Sequence, residues 1–295
     1  MPERRIETKT SRTAEMTCLS RAASFLESAP LFKSNDWVAL KMLPRHIQLG
    51  YKLRPFRMFL LKAMAPEGIY EYVIARTKYI DALFDRAASG GFSQILFFGA
   101  GFDSRGIRFE SRLKGMKVFE LDAAATQTAK RRQYERRGIA VPANVVFVAV
   151  NFEKESAEEK LVQAGFSRGA KTLVVAEGVT QYLKPEAAYA MFGIIRDAVG
   201  KDSLLVFDYA HASVFRGGDG SYGEARMIKA AQNAGESWQF GLEEADVEPL
   251  LGRYGFELID RKSPRQLEET YFKDEKGNIA ARVNATQSVV TARKS

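Results

Sequence analysis

Ser93-Gln-Ile-Leu-Phe-Phe-Gly-Ala-Gly-Phe-Asp-Ser-Arg105 runs an apolar segment into a glycine turn, and Phe119-Glu-Leu-Asp122 ends a second apolar segment in acids. Gly99 and Gly101 allow the backbone to turn sharply and approach a ligand closely, and a carboxylate about 20 residues on can accept both hydroxyls of a ribose. Glu120 and Asp122 both fall at that spacing. Ser104 replaces the third glycine of the dinucleotide pattern and Asp103 stands inside the turn, so a pyrophosphate would lose its close helix packing. The chemistry that fits is an adenosine cofactor without phosphates, S-adenosylmethionine, in preference to NAD.

Two further segments stand on either side of this pair, Ile74-Ala-Arg-Thr-Lys-Tyr-Ile-Asp81 upstream and Ala176-Glu-Gly-Val-Thr-Gln-Tyr-Leu183 downstream. With these motifs in this order, most of the chain resembles the leucine carboxyl methyltransferase and polyketide O-methyltransferase family. The resemblance implies a class I methyltransferase fold with an N-terminal helical lid and S-adenosylmethionine as cofactor. It implies that Arg76 pairs with the methionine carboxylate, for which a guanidinium is a bidentate partner; on the residues alone, an ion pair with Glu71 or Asp81 is the alternative. Arg21 is a second candidate for the same carboxylate, from the lid. Gly99 and Gly101 approach the methionine part and the ribose, with Asp103 shaping the turn and Arg105 tying it down, and Asp122 matches the ribose-binding acid. Asn151-Phe152 replaces the Asp-Leu usual in the family. The amide oxygen of Asn151 can still accept from the adenine amine and Phe152 can cover the ring. Phe97 is a second departure, where relatives often carry Asp or Asn. Glu177 matches the acid beside cofactor and substrate, and Tyr182 follows it either on the pocket wall or as packing under the lid.

A methyl sulfonium is already electrophilic, so the protein needs mainly to align the accepting oxygen with the methyl group. A carboxylate acceptor is ionised at neutral pH and needs no base, whereas a phenol or enol calls for one, with Glu177, Asp208 and His211 as candidates. Glu177, Tyr182 and His211 are thus the candidate catalytic residues; His211 also reads as an ordinary structural histidine. The expected function is an O-methyltransferase acting on a carboxylate or a phenol or enol oxygen of a small, polyketide-like molecule, or on a peptide carboxyl. Two rivals remain. A nucleic-acid methyltransferase is motivated by the net charge of +8 and by Lys130-Arg-Arg-Gln-Tyr-Glu-Arg-Arg137, which reads otherwise as a solvated helix face. A non-catalytic cofactor-binding protein is motivated by Asn151 and Phe97.

The elements that must position these residues alternate short apolar runs with helical segments, the signature of an α/β sheet wound by crossover helices. Seven strands are predicted, near residues 94–98, 117–121, 145–150, 172–176, 204–208, 256–261 and 284–291. The first five have the continuous apolar character of buried parallel strands; the polar last one is expected to insert antiparallel, with no helix before it in the charged stretch 271–279. Helical periodicity at 13–27, 36–49 and 67–88, punctuated by Pro30, Pro44, Pro55 and Pro66, forms a lid. The expected division is therefore residues 1–90, tail and lid, and 91–295, cofactor-binding core. The basic and aromatic stretch Arg45 to Met64 reads as a lid segment that packs on the body, with covering a hydrophobic ligand or touching a membrane surface as the alternatives. Arg216-Gly-Gly-Asp-Gly-Ser-Tyr-Gly223 reads as a mobile loop near the substrate entrance. A single cysteine, two histidines and no apolar run of membrane-spanning length point to a cytoplasmic, metal-free enzyme with no stable membrane insertion. Met1 to Thr10 reads as a frayed tail; oligomeric state has no signature here.

Overall fold

A computed structural model describes residues 12–152, 154–233 and 238–295. The tail expected at residues 1–10 lies outside the described residues. The apolar runs form β1 (Gln94–Phe98), β2 (Lys117–Asp122), β3 (Val145–Ala149), β4 (Thr172–Ala176), β5 (Leu204–His211), β6 (Gly241–Leu242), β7 (Phe256–Lys262) and β8 (Gln287–Lys294). They make one sheet in the order β3-β2-β1-β4-β5-β8-β7, with the two-residue β6 pairing β5 off this path. Strands β1 to β5 pair in parallel, and β8 runs antiparallel to both β5 and β7. The antiparallel insertion expected of the last strand is present, displaced to residues 287–294.

Strand alternation divides the core into two layers. Ile95 and Phe97 of β1 and Leu173 and Val175 of β4 pack into one apolar cluster, whereas Leu96, Phe98, Val174 and Ala176 pack into another across the sheet. Both faces are covered, which is why these strands are apolar at every position after the first.

The first layer is supplied by α1 (Arg12–Phe25), α2 (Trp37–Met42), α3 (Arg45–Tyr51), α4 (Arg54–Met64) and α5 (Ile69–Ser89). The helix expected over 36–49 is broken at Pro44, which has extended backbone and starts α3. Asp36 caps α2, accepting the Ala39 N–H at 2.9 Å. The long α5 starts after Gly68, at φ +74°, and buries Tyr72, Arg76, Tyr79, Leu83 and Phe84. After β1 come α6 (Arg105–Arg108) and, after β2, α7 (Ala124–Arg137), which ends at Gly138 in the left-handed region. Along α7, Lys130 and Tyr134 are buried while Arg131, Arg132 and Arg136 are exposed, so the basic run is a solvated face only in part.

The opposite layer contains α8 (Ala157–Gln163), α9 (Pro185–Ala198) and α11 (Val247–Arg253), while α10 (Glu224–Asn233) follows the glycine-dense loop. In that loop the N–H groups of Asp219, Gly220 and Ser221 all donate to Glu224 Oε2, at 2.7, 3.0 and 3.3 Å. Before the charged stretch 271–279 lies α12 (Pro264–Tyr271), which the sequence reading did not find; a reciprocal Ser263–Gln266 capping box starts it.

Gly200, between α9 and β5, stands where a Cβ would come within 1.9 Å of the Gly169 carbonyl oxygen. Gly200→Ala is expected to cost about 1–3 kcal/mol of stability through overpacking against backbone, read as a lower urea midpoint at unchanged slope.

Candidate functional site

In the order β2-β1-β4, the crossovers leave β1 and β4 in opposite directions, so a crevice opens at the carboxyl ends of these strands. It contains a cavity of about 250 Å³, lined from above by Thr13, Ala14, Met16, Thr17 and Arg21 of α1 and from below by strand ends. Gly99 (φ +74°) and Gly101 (φ +48°) turn the chain here, and a Cβ at Gly99 would stand 2.5 Å from Val179 Cγ2. The Gly99 and Ala100 N–H groups both donate to the Leu121 carbonyl, at 2.8 and 3.1 Å, which fixes the turn on the end of β2.

Asp122 closes the same corner. One carboxylate oxygen accepts the Gly101 N–H and the other the Ala123 N–H, the latter at 2.6 Å. Burial raises its proton affinity above the ordinary carboxylate value, with these two donors opposing. Each oxygen has acceptor capacity left beyond its backbone donor, and the residue lines the cavity, which is what a vicinal diol requires. Glu120, two residues earlier, is not among the lining residues. Its carboxylate lies 2.6 Å from Lys130 Nζ, and burial pushes its pKa up to about 7 with Lys130 working against the shift. Of the two acids at ribose spacing, the structure brings only Asp122 to the cavity.

Charged side chains form a continuous series behind this corner, buried except at the partly exposed Asp81. Arg76 of α5 pairs with Asp208 of β5 and, at 2.9 Å, with Glu177 at the end of β4. Arg105 meets the other Glu177 oxygen at 2.7 Å, pairs with Asp103, and reaches Asp81 at 2.7 Å. Arg108 bridges Asp81 (2.9 Å) to Asp36 (3.5 Å), and Asp36 lies 2.9 Å from Arg21 Nε. The last contact is close enough for an ion pair but misaligned for a hydrogen bond, and Arg76 Nε and Arg105 Nη2 also lack hydrogen-bond partners among the described residues. Burial alone would raise the Glu177 pKa, but Arg76 and then Arg105 hold it down at about 2. Arg76 thus pairs with neither Glu71 nor Asp81.

Arg76, Gly99, Gly101, Asp103, Asp122, Asn151, Phe152, Glu177 and Tyr182 all line the cavity, as do Arg21 and Phe97. The Phe152 ring lies 5.3 Å from that of Phe98. The Tyr182 hydroxyl lies 3.1 Å from Thr13 Oγ1, and its ring is edge-on to Trp238. His211 is not among the lining residues. Its Nε2 lies 2.8 Å from Ser288 Oγ, and burial lowers its pKa. Asp208, a candidate base on sequence grounds, is 1% exposed and fully engaged: it accepts from Arg76, Tyr72 (3.1 Å) and the Gly178 N–H (2.6 Å). Asp36 and Arg108 were not found from the sequence; capping propensity marks Asp36 as a helix start, and nothing in its spacing marks it as an ion partner. Apart from Tyr182, the apolar end of the cavity, with Met16, Ile69, Val73, Met227 and Trp238, was likewise illegible.

Residues 15–196 match the family model described as leucine carboxyl methyltransferase. YktD of Bacillus subtilis, provisionally named an S-adenosyl-L-methionine-dependent methyltransferase, is 27% identical over 222 residues, 75% of this chain and 73% of its own length. A Saccharopolyspora erythraea protein with the same provisional name is 30% identical over 138 residues, 47% of each chain, so this chain spans about half of that relative. Among solved structures, a provisional methyltransferase from Thermobifida fusca superposes with a TM-score of 0.60 at 16% identity, covering 97% of this chain and 96% of its own. A DUF574 family protein from Streptomyces avermitilis gives 0.59 at 12% identity, covering 99% and 100%. At these identities the two structures establish a shared fold.

Because the folded Glu177 carboxyl sits near 2 and its ordinary value is 4.5, its contribution to stability is complete above about 4.5 and is lost as pH falls through 2. The shift corresponds to about 3 kcal/mol at most. Urea midpoints are expected to fall steeply between pH 4.5 and the acid limit of folding. Glu177→Gln should be less stable at neutral pH and lose stability less steeply over that window.

Proposed function

The chain belongs to the leucine carboxyl methyltransferase family, which makes it an S-adenosylmethionine-dependent methyltransferase, and on that premise we propose that it transfers the methyl group to an oxygen atom of a small, largely apolar acceptor. The observation that carries the reading is the corner in which Asp122, oriented by the Gly101 and Ala123 N–H groups, faces the cavity beside the glycine turn.

The residues present suit the cofactor in charge as well as shape. Two arginines and three acids line the cavity, Arg21, Arg76, Asp103, Asp122 and Glu177, a net charge of −1. The bound cofactor, with a carboxylate, an ammonium and a sulfonium, carries the opposite net charge and supplies the methyl group as an electrophile. Asp122 accepts the ribose hydroxyls, and Asn151 and Phe152 take the adenine at its edge and face. Arg76 would hold the methionine carboxylate through a guanidinium already oriented by Asp208 and Glu177. Glu177, held ionised far below neutral pH, fixes positive charge and is a poor proton acceptor. Neither Glu177 nor the Ser288-bonded His211 is poised as a base, which favours an acceptor that is already ionised, a carboxylate, over a phenol or enol. Met16, Ile69, Val73, Met227 and Trp238 would hold its apolar body, and Tyr182 the boundary between the two halves.

Calorimetry with S-adenosylmethionine is expected to give binding of the order of micromolar, weakened at least about tenfold by Asp122→Ala, since two hydrogen bonds to a charged acceptor are lost. Absence of binding to the wild type would remove the proposal, and tight binding without turnover on any acceptor would leave a cofactor-binding protein. A screen with methyl-labelled cofactor separates the products: an ester releases volatile label in mild alkali, whereas an ether retains it. Alkali-stable label would overturn the carboxylate reading.

A further inference from the structure

Residues 37–66 contain six Lys or Arg residues and no Asp or Glu. Within this stretch α3, α4 and their connection expose Leu49 (67%), Leu53 (65%), Phe56 (38%), Phe59 (69%) and Met64 (54%). The two helices share one surface at this point: Gly50 lacks a Cβ where one would stand 2.4 Å from the Phe56 ring, so that ring lies directly on α3. The inner face of α4 is anchored separately. Leu61 is buried, and Arg57 is turned inward to pair with the buried Glu27 at 2.9 Å. The outer face is therefore apolar by composition and held rigidly by its other side. Arg45, His46, Lys52, Arg54 and Lys62 stand exposed around it. The acids nearest these cations are Glu27, already engaged by Arg54 and Arg57, and Glu71, whose carboxyl feels Lys62.

An amphipathic helix pair with leucine and phenylalanine on the outside, lysine and arginine at its rim and no acid of its own is complementary to an anionic lipid interface, where the rings enter the acyl boundary and the cations meet headgroups. We propose that α3 and α4 dock this protein on the surface of an anionic bilayer. The attachment is interfacial, because no described helix is long and apolar enough to cross a membrane. Its position relative to the cavity gives it a use. Ala65, one residue beyond Met64, packs with Ile69, Val73, Met227 and Trp238, the apolar wall of the cavity. The docked surface thus leads directly into the apolar wall of the cavity.

The test is co-sedimentation of the full chain with vesicles of phosphatidylcholine alone and with roughly one-third phosphatidylserine. Binding is expected to the anionic vesicles only and to fall as salt is raised. Phe59→Asp and Leu53→Asp should each weaken it roughly tenfold or more without moving the urea midpoint, since both side chains are exposed. Lys52→Glu with Lys62→Glu should abolish the preference for anionic lipid. The proposal is overturned if the wild type fails to sediment at low salt, or if Phe59→Asp binds as well as the wild type. It is equally overturned if sedimentation velocity shows a dimer that Phe59→Asp dissolves while vesicles are ignored, because the face would then belong to a second copy of the chain.

Discussion

The series of buried ion pairs from Asp208 through Arg76, Glu177, Arg105, Asp81, Arg108 and Asp36 to Arg21 is the constraint on which the rest of the molecule depends. Its members come from the ends of β4 and β5, from α5 and α6, from the cap of α2 and from α1. Apolar packing brings these elements together but is indifferent to small sliding of one against another. Alternating charges at fixed reach are not. Desolvating so many ions recovers little net stability, and removing one partner from such a pair typically costs about 3–5 kcal/mol because the other charge is left buried. The return is a single permitted arrangement of the helices over the strand ends.

That arrangement explains why the cavity is bounded on one side by backbone and on the other by side chains of α1. Arg21 Nη2 donates to the Phe102 carbonyl at 2.7 Å, so the N-terminal helix is bolted to the glycine turn itself. The turn is in turn held by the Leu121 carbonyl and by Asp122. Cavity-lining groups on three separate elements are consequently fixed relative to one another, which is the condition for aligning an acceptor with a methyl carbon.

The sheet was largely legible because each parallel strand, covered on both faces, is written as a continuous apolar run. Gly99, Gly101 and Asp122 were legible because one turn and one strand end bring them together within about 20 residues. The partners of Arg76 were not: Asp208 is 132 residues away, and a guanidinium gives no sign of which distant acid it will meet. Glu120 satisfied the same spacing as Asp122, but the side chain paired beneath α7 with Lys130, a partner visible only once that helix is packed. His211 follows an apolar strand toward the ligand side of the sheet, yet its ring meets Ser288 of the inserted β8. In each case a local pattern was overridden by a neighbour supplied from elsewhere in the chain.

The insertion of β8 between β5 and β7 also governs the order in which the molecule can be made. Strand β5, buried throughout Leu204 to Ala210, meets β6 only at its last two residues and takes its second full-length neighbour only when residues 287–294 arrive. At ribosomal speeds of about 5–20 residues per second, the roughly 80 residues between the two strands separate their appearance by several seconds. During that interval a long apolar edge stands without its partner, and β7 has no strand to join. The last strand thus acts as a latch that converts a half-sheet with an open edge into the finished one.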